Sequence, residues 1–150
     1  MTGKQPDMTL KAIGFVHNEM KQPLREGWEE VISDIVIDDG LTEALDGLEE
    51  YSHIIVLYWL HKSDTARLAT KVHPRGRPDL PMVGLFATRT PHRPNPIGKA
   101  TVQLLERQGN LLRIRGLDAI DGTPVIDIKP YIPGYDSAAN AKVPPWVTNL

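Results

Sequence analysis

Turn signals cut the apolar segments of this chain into short pieces, and nothing else in the sequence constrains the fold as much. The clearest case is "KATVQLLERQGNLLRIRGLDAIDGTPVIDIKPYI" (99–132), which reads as successive strands joined by tight turns. Gly109-Asn110 and Asp121-Gly122 are dipeptides of the sort that support hairpins. Arg113 and Arg115 alternate with Leu112 and Ile114, as expected for a sheet with one wet face. Upstream, 10–18 ("LKAIGFVHN") alternates weakly and predicts a first strand, and the β-branched run within 28–39 predicts a second. The segment 52–61 ("SHIIVLYWLH") is the most apolar and predicts the central buried strand. Residues 80–89 predict another strand. Helical spacing is confined to 40–51, where Leu41, Leu45 and Leu48 share a side and Thr42 can cap a short helix.

Many short strands, few helical periods and dense turn signals predict a mainly β protein: one antiparallel β-barrel domain with short helices. A length of 150 residues fits one domain with a genuine core. Past residue 132 the chain reads as loop, with Trp146 and Val147 tying down the tail. The glycine-rich strand–turn–helix of a dinucleotide-binding fold is missing, as is a phosphate loop of the Walker type.

Cysteine is absent, which excludes disulfides and thiolate metal sites and makes a reducing cytoplasm the expected setting. The longest apolar run, 54–60, is too short for a bilayer, which takes about 20 residues, and the N-terminus has no signal-peptide core. The histidines never take a metal-ligand spacing, so no metal site is expected. No serine sits in a nucleophile-elbow context.

Net charge is only -2, but it is unevenly spread. Residues 19–50 hold eleven Asp or Glu against two Lys or Arg, whereas 61–100 hold eight Lys or Arg against two acids. The basic stretch contains two stiff loops. "GLFATRTPHRPNPIGKA" (84–100) packs three prolines, two arginines and a histidine, and "VHPRGRPDLP" (72–81) has the same flavour. Flanking one strand, these loops would bring Arg75, Arg77, Arg89 and Arg93 near one another. Arginine on a rigid loop suits bidentate recognition of phosphate or carboxylate; the plainer alternative is a stiff connection with solvated arginines. Three carboxylates surround the turn near 121. Asp121 before Gly122 is most simply a turn residue, and Asp127 with Lys129 can form a modest ion pair on one strand face. Asp118 has the weakest structural excuse and can hold a cation or accept a proton.

Two long motifs, "GLFATRTPHRPNPIG" (84–98) and "GLDAIDGTPVIDIKPYIP" (116–133), resemble the signature set of the TrmO family, also called TsaA-like or YaeB. "IGFVHN" (13–18), "KQP" (21–23) and "LEEYSHIIVLYWLHKSD" (48–64) match in order, so the resemblance covers about 10–136 and leaves 137–150 as a C-terminal tail. It implies an S-adenosylmethionine-dependent methyltransferase on a β-barrel. Its implied target is N6 of N6-threonylcarbamoyladenosine at position 37 of tRNA, and the implied assembly is a homodimer. Carried over by position, the cofactor pocket involves Met20, Lys21, Gln22, Leu60, His61, Lys62, Arg89 and Lys99, with Asp118, Ala119, Ile120 and Asp121. The first of these segments is usually Pro-Arg-Gln, and only Gln22 is retained.

For the chemistry, Asp118 and Tyr131 are available to stabilise a sulfonium charge, and Asp121 or Asp127 to accept the proton of the target nitrogen. Arg75, Arg77 and Arg93 are candidates for the tRNA backbone, with Asn95 fixing the turn that shapes the substrate pocket. Longer members carry a further C-terminal domain thought to assist tRNA binding, and this chain stops near residue 150. A small adenine-containing substrate, or a nucleotide- or RNA-binding barrel without turnover, therefore remains an alternative.

Overall fold

A computed structural model of the chain describes residues 3–24, 26–63 and 68–150. Its centre is a closed, fully antiparallel barrel. The barrel strands are β1 (Gly14–His17), β2 (Ile32–Ile37), β3 (His53–Trp59), β6 (Ile97–Gln108), β7 (Leu111–Arg115) and β8 (Pro124–Pro130). Around the barrel they run β1-β2-β7-β6-β3-β8, and β8 pairs back to β1. A separate two-stranded ribbon joins β4 (Lys71–Val72) to β5 (Val83–Gly84).

Period-two alternation fills the barrel. Val16, Ile35, Leu112, Ile114 and Val125 are completely buried, and each alternates along its strand with a more exposed neighbour. The apolar segment at 52–61 is the predicted central strand, β3, hydrogen-bonded to β6 on one side and β8 on the other. Gly109-Asn110 makes the predicted β6–β7 hairpin, with Gly109 at φ 59°.

Other expectations need correction. The first strand begins at Gly14 rather than residue 10, because its ladders with β2 and β8 begin at that residue, opposite Ile37 and Val125. In the 28–39 segment, Gly27 turns left-handed at φ 89° and sends Trp28–Glu30 into a 3₁₀ turn, so β2 starts only at Ile32. The helix predicted over 40–51 is two 3₁₀ stretches, Asp39–Leu45 and Leu48–Glu50, separated at Gly47 with φ 90°. Thr42 is no cap: it lies inside the first stretch and its hydroxyl donates to the Asp39 carbonyl. The 80–89 strand shrinks to Val83–Gly84, since Pro81 removes a ladder donor and Leu85–Ala87 turns into 3₁₀. Asp121-Gly122 is a turn but not a hairpin. Strands β7 and β8 are not neighbours, so residues 116–123 cross from one to the other. Beyond β8 a single helical turn, α1 (Pro133–Asp136), precedes the tail. There Trp146 and Val147 are half-buried, and the Asn149 carbonyl accepts from Arg77 at 2.8 Å.

Candidate functional site

A cleft of about 630 Å³ opens beside β3 and β6. Four separate stretches of chain wall it. The first is the end of β3 and the turn after it, with Tyr58, Leu60, His61, Lys62 and Ser63. The second is the proline loop from Arg89 to Arg93, continuing into Ile97, Gly98 and Lys99 of β6. The third is the 116–123 crossover, with Asp118, Ala119, Ile120 and Thr123. The loop before β2 supplies Pro23, Leu24 and Trp28. The result is an apolar wall with Lys62, Arg89, Arg93 and Lys99 along it and a single carboxylate, that of Asp118, among the lining residues. A volume of this size suits a nucleoside-sized ligand.

The proline loop is held from within. The Arg93 guanidinium donates to the carbonyls of Thr88 and Thr90 at 2.9 and 3.0 Å and stands 5.8 Å from the Phe86 ring centroid. The Leu60 amide donates to the Pro96 carbonyl at 2.7 Å and fastens the loop to the end of β3. Prolines at 91, 94 and 96 reduce the freedom the loop has to lose on folding.

The crossover is fixed at its other end by Asn18. Its amide Nδ2 donates to Ser33 Oγ and to the Ala119 carbonyl, both at 2.9 Å, while its Oδ1 accepts the Met20 amide. Its own backbone N–H donates to Asp121 at 3.0 Å. Lys21 Nζ lies 2.7 Å from Asp121, and His17 Nδ1 3.2 Å from it. Lys21 and the Asn18 amide pull the Asp121 carboxyl down to about 2.

Of the residues selected from sequence, Leu60, His61, Lys62, Arg89, Arg93, Lys99, Asp118, Ala119 and Ile120 come together in the cleft lining. Met20, Lys21, Gln22 and Asp121 do not line it. Met20, Lys21 and Asp121 instead form the brace behind the crossover, where the Asp121 amide also donates to the Met20 carbonyl at 2.7 Å. Asp127 and Tyr131 lie outside the lining as well. Asp127 pairs with Lys129 at 3.0 Å, as its spacing predicted, and Tyr131 stands edge-on to His53 with ring centroids 6.4 Å apart. The four arginines are split. Arg75 and Arg77 sit at the Pro74–Gly76 turn, away from the lining, and Arg77 is engaged by Asp79 at 2.6 Å. Asn95 is exposed, and its carbonyl accepts the Ile97 amide at 2.7 Å, which closes the turn into β6.

Sequence reasoning missed Tyr58, Trp28, Leu24 and Thr123 in the lining. Tyr58 carried a readable signal. It is the one residue with a hydroxyl inside the apolar run 54–60, and a buried tyrosine hydroxyl needs a partner. That partner is Asp118, whose carboxylate Oδ1 accepts from Tyr58 Oη. Burial and the neighbouring carboxylate push the phenol far above its ordinary pKa, so it stays a neutral donor. Among the described residues, no group of three or more His, Cys, Asp or Glu could hold a metal, and no helix is long and apolar enough to cross a membrane.

The sequence profile of the tRNA-methyltransferase O N-terminal domain matches residues 16–137. A "Probable S-adenosyl-L-methionine-binding protein" of Archaeoglobus fulgidus is 44% identical over 139 residues, covering 89% of this chain and 37% of that protein. The mouse "tRNA (adenine(37)-N6)-methyltransferase" is 46% identical over 100 residues, covering 67% of this chain and 23% of the mouse protein. The crystal structure of TrmO from Pseudomonas aeruginosa superimposes with a TM-score of 0.70 at 30% identity, covering 91% of this chain and 62% of that one. This chain thus spans well under half of both named relatives and under two thirds of the crystallised one. Apart from the first two residues of β1, the barrel, the crossover and the proline loop lie within the matched residues, and the chain belongs to the TrmO family, whose N-terminal domain it matches.

Proposed function

We propose that this barrel is an S-adenosylmethionine-dependent methyltransferase that methylates N6 of N6-threonylcarbamoyladenosine at position 37 of tRNA. The observation that carries the reading is the cleft itself. Two separate family motifs, 84–98 and 116–133, meet there with the residues that follow β3. Its lining fits the methyl donor: Trp28, Leu60 and Ile97 offer apolar surface, while Arg89 and Lys99 suit a carboxylate. Asp118 offers the matching anion for a cationic group.

When bound, the methyl donor supplies an electrophilic carbon. Transfer to N6 would exchange the sulfur–methyl bond for a nitrogen–methyl bond, with the electron pair left on sulfur and the N6 proton released to water. The protein's part is to hold donor and acceptor in line at about 3–3.5 Å and to keep water out. Leu60, His61, Lys62, Arg89, Lys99 and the 118–120 backbone hold the donor. Arg93 sets the shape of the proline loop, and Arg75 on its exposed turn is placed for RNA phosphate. Asp121 is outside the lining and tied to Lys21, the Asn18 amide and His17, which favours a supporting role over that of the base. Met20, Lys21 and Asp121 act as support for the crossover.

The test is methyl transfer from labelled S-adenosylmethionine to tRNA carrying threonylcarbamoyladenosine, beside tRNA lacking it. Labelling of the first alone is expected; equal labelling of both, or of neither, overturns the reading. The Archaeoglobus relative is named for cofactor binding alone, which favours a second reading in which the cleft binds without turnover. Binding of S-adenosylmethionine with no labelling of tRNA or of any small adenine compound would select it. The first reading includes a homodimer acting in the cytoplasm, supported by the family resemblance and by the opposed acidic and basic segments.

A further inference from the structure

Tyr58 is in the cleft by the convergence of three features that lie far apart in the sequence. The ladder between β3 and β8 shifts register between Leu57 and Tyr58, from Leu57 opposite Asp127 to Tyr58 opposite Val125. Such an irregularity re-aims the side chain at which it falls. On the other flank, Tyr58 stands opposite Gly98 of β6, and a Cβ on Gly98 would collide with the Tyr58 ring. The missing side chain at 98 is therefore the slot in which the ring lies. Third, the hydroxyl meets Asp118, delivered 60 residues later by the crossover. Tyr58 is only 2% exposed, whereas Asp118 is an exposed lining residue, so the buried phenol grips the carboxylate from behind.

A carboxylate has two oxygens and about four acceptor positions. With one oxygen held by Tyr58, the torsion of the Asp118 side chain is restrained and the remaining acceptor positions are left for a ligand. Without that restraint an exposed aspartate samples several rotamers, and a ligand has to select one at a cost in affinity. We propose that Tyr58 is a positioning residue that presets the Asp118 carboxylate for a cationic or hydrogen-donating group of the methyl donor, with Gly98 as its seat. This inference rests on the methyl-donor reading of the cleft and adds to it the residue that orients the anion. The ring of Tyr58 is also part of the barrel core, so a purely structural role is the competing explanation.

A double-mutant cycle separates the two. Tyr58→Phe keeps the ring in the Gly98 slot and removes only the hydroxyl. S-adenosylmethionine affinity is measured for wild type, Tyr58→Phe, Asp118→Ala and the double variant, by titration calorimetry. Thermal shift at millimolar ligand covers variants too weak to titrate. Positioning predicts that Tyr58→Phe weakens binding by about tenfold in the wild-type background and by less than about twofold in Asp118→Ala. The same variant is expected to raise KM for the methyl donor more than it lowers kcat. An equal loss in both backgrounds would mean that Tyr58 acts through core packing, and no loss in either would mean that Asp118 is set without it; each result overturns the inference. Wild-type protein that binds no S-adenosylmethionine would instead remove the methyl-donor reading, and this inference with it.

Discussion

Asp118, Asp121 and Asp127 fall within ten positions of one another, yet the fold gives them three different neighbourhoods. Asp118 takes a phenol from behind and lines the cleft, Asp121 is clamped by Lys21, the Asn18 amide and His17, and Asp127 pairs with Lys129. The clamp on Asp121 has a pH signature. Its carboxyl is held at about 2 in the folded chain against an ordinary 3.8, so the unfolded chain binds the proton first as pH falls. The stabilisation is complete above about pH 4 and is lost as the pH drops toward 2. Asp121→Asn is expected to lower the melting temperature at neutral pH and to flatten the acid limb between those values, as thermal melts across that range would show. A variant with an unchanged acid limb would place the clamp's contribution elsewhere. The Asp127–Lys129 pair was legible because a period of two on a strand is geometry. The Asp121 clamp was not, because its partners lie about a hundred residues upstream and meet it only when the barrel closes.

At the scale of elements, β1 is short, and one glycine lets it lie where it does. Gly14 is buried between Ile37 and Val125, and a Cβ there would run into the Val36 carbonyl oxygen, which is backbone and cannot swing aside. Gly14→Ala is therefore expected to destabilise the protein by about 1–3 kcal/mol, as for other overpacked core positions, measured by the denaturant midpoint. An unchanged midpoint would mean that β1 can shift along β2 at little cost. Strands β3, β6 and β7 could be read from sequence because apolar runs and a Gly-Asn turn are local signals. The crossover could not. Asp121-Gly122 is equally good turn chemistry whether the flanking strands pair with each other or with different partners, and only the order around the barrel decides. The strand expected over 80–89 is short for a local reason: Pro81 cannot donate to a ladder, and this outweighs the apolar residues around it.

Across the whole molecule, the charge asymmetry of the sequence is partly spent inside the subunit. Asp34 pairs with Arg113, while Asp46 and Glu49 share Arg107, so cations of β6 and β7 take up acids of the 19–50 segment. If tRNA binds, its affinity should fall with salt by a log–log slope of roughly 0.7 to 0.9 per phosphate contacted. Arg75→Glu, on the exposed turn, is expected to flatten that slope by about one contact and leave S-adenosylmethionine affinity unchanged. A salt slope unaltered by the reversal would remove Arg75 from the RNA surface. Sedimentation at micromolar concentration is expected to give a dimer, and a monomer there would count against the two-fold assembly. The pairing of β8 back to β1 also orders events during synthesis. The first strand waits for a partner that leaves the ribosome more than a hundred residues later, and until then the groups that bond to β8 face water. The same arrival brings Asp118 to Tyr58 and Asp121 to Asn18. A nascent chain interrupted before the crossover therefore has neither a sealed barrel nor the Asp118 wall of the cleft, and in this fold the barrel and the cleft are completed by the same segment.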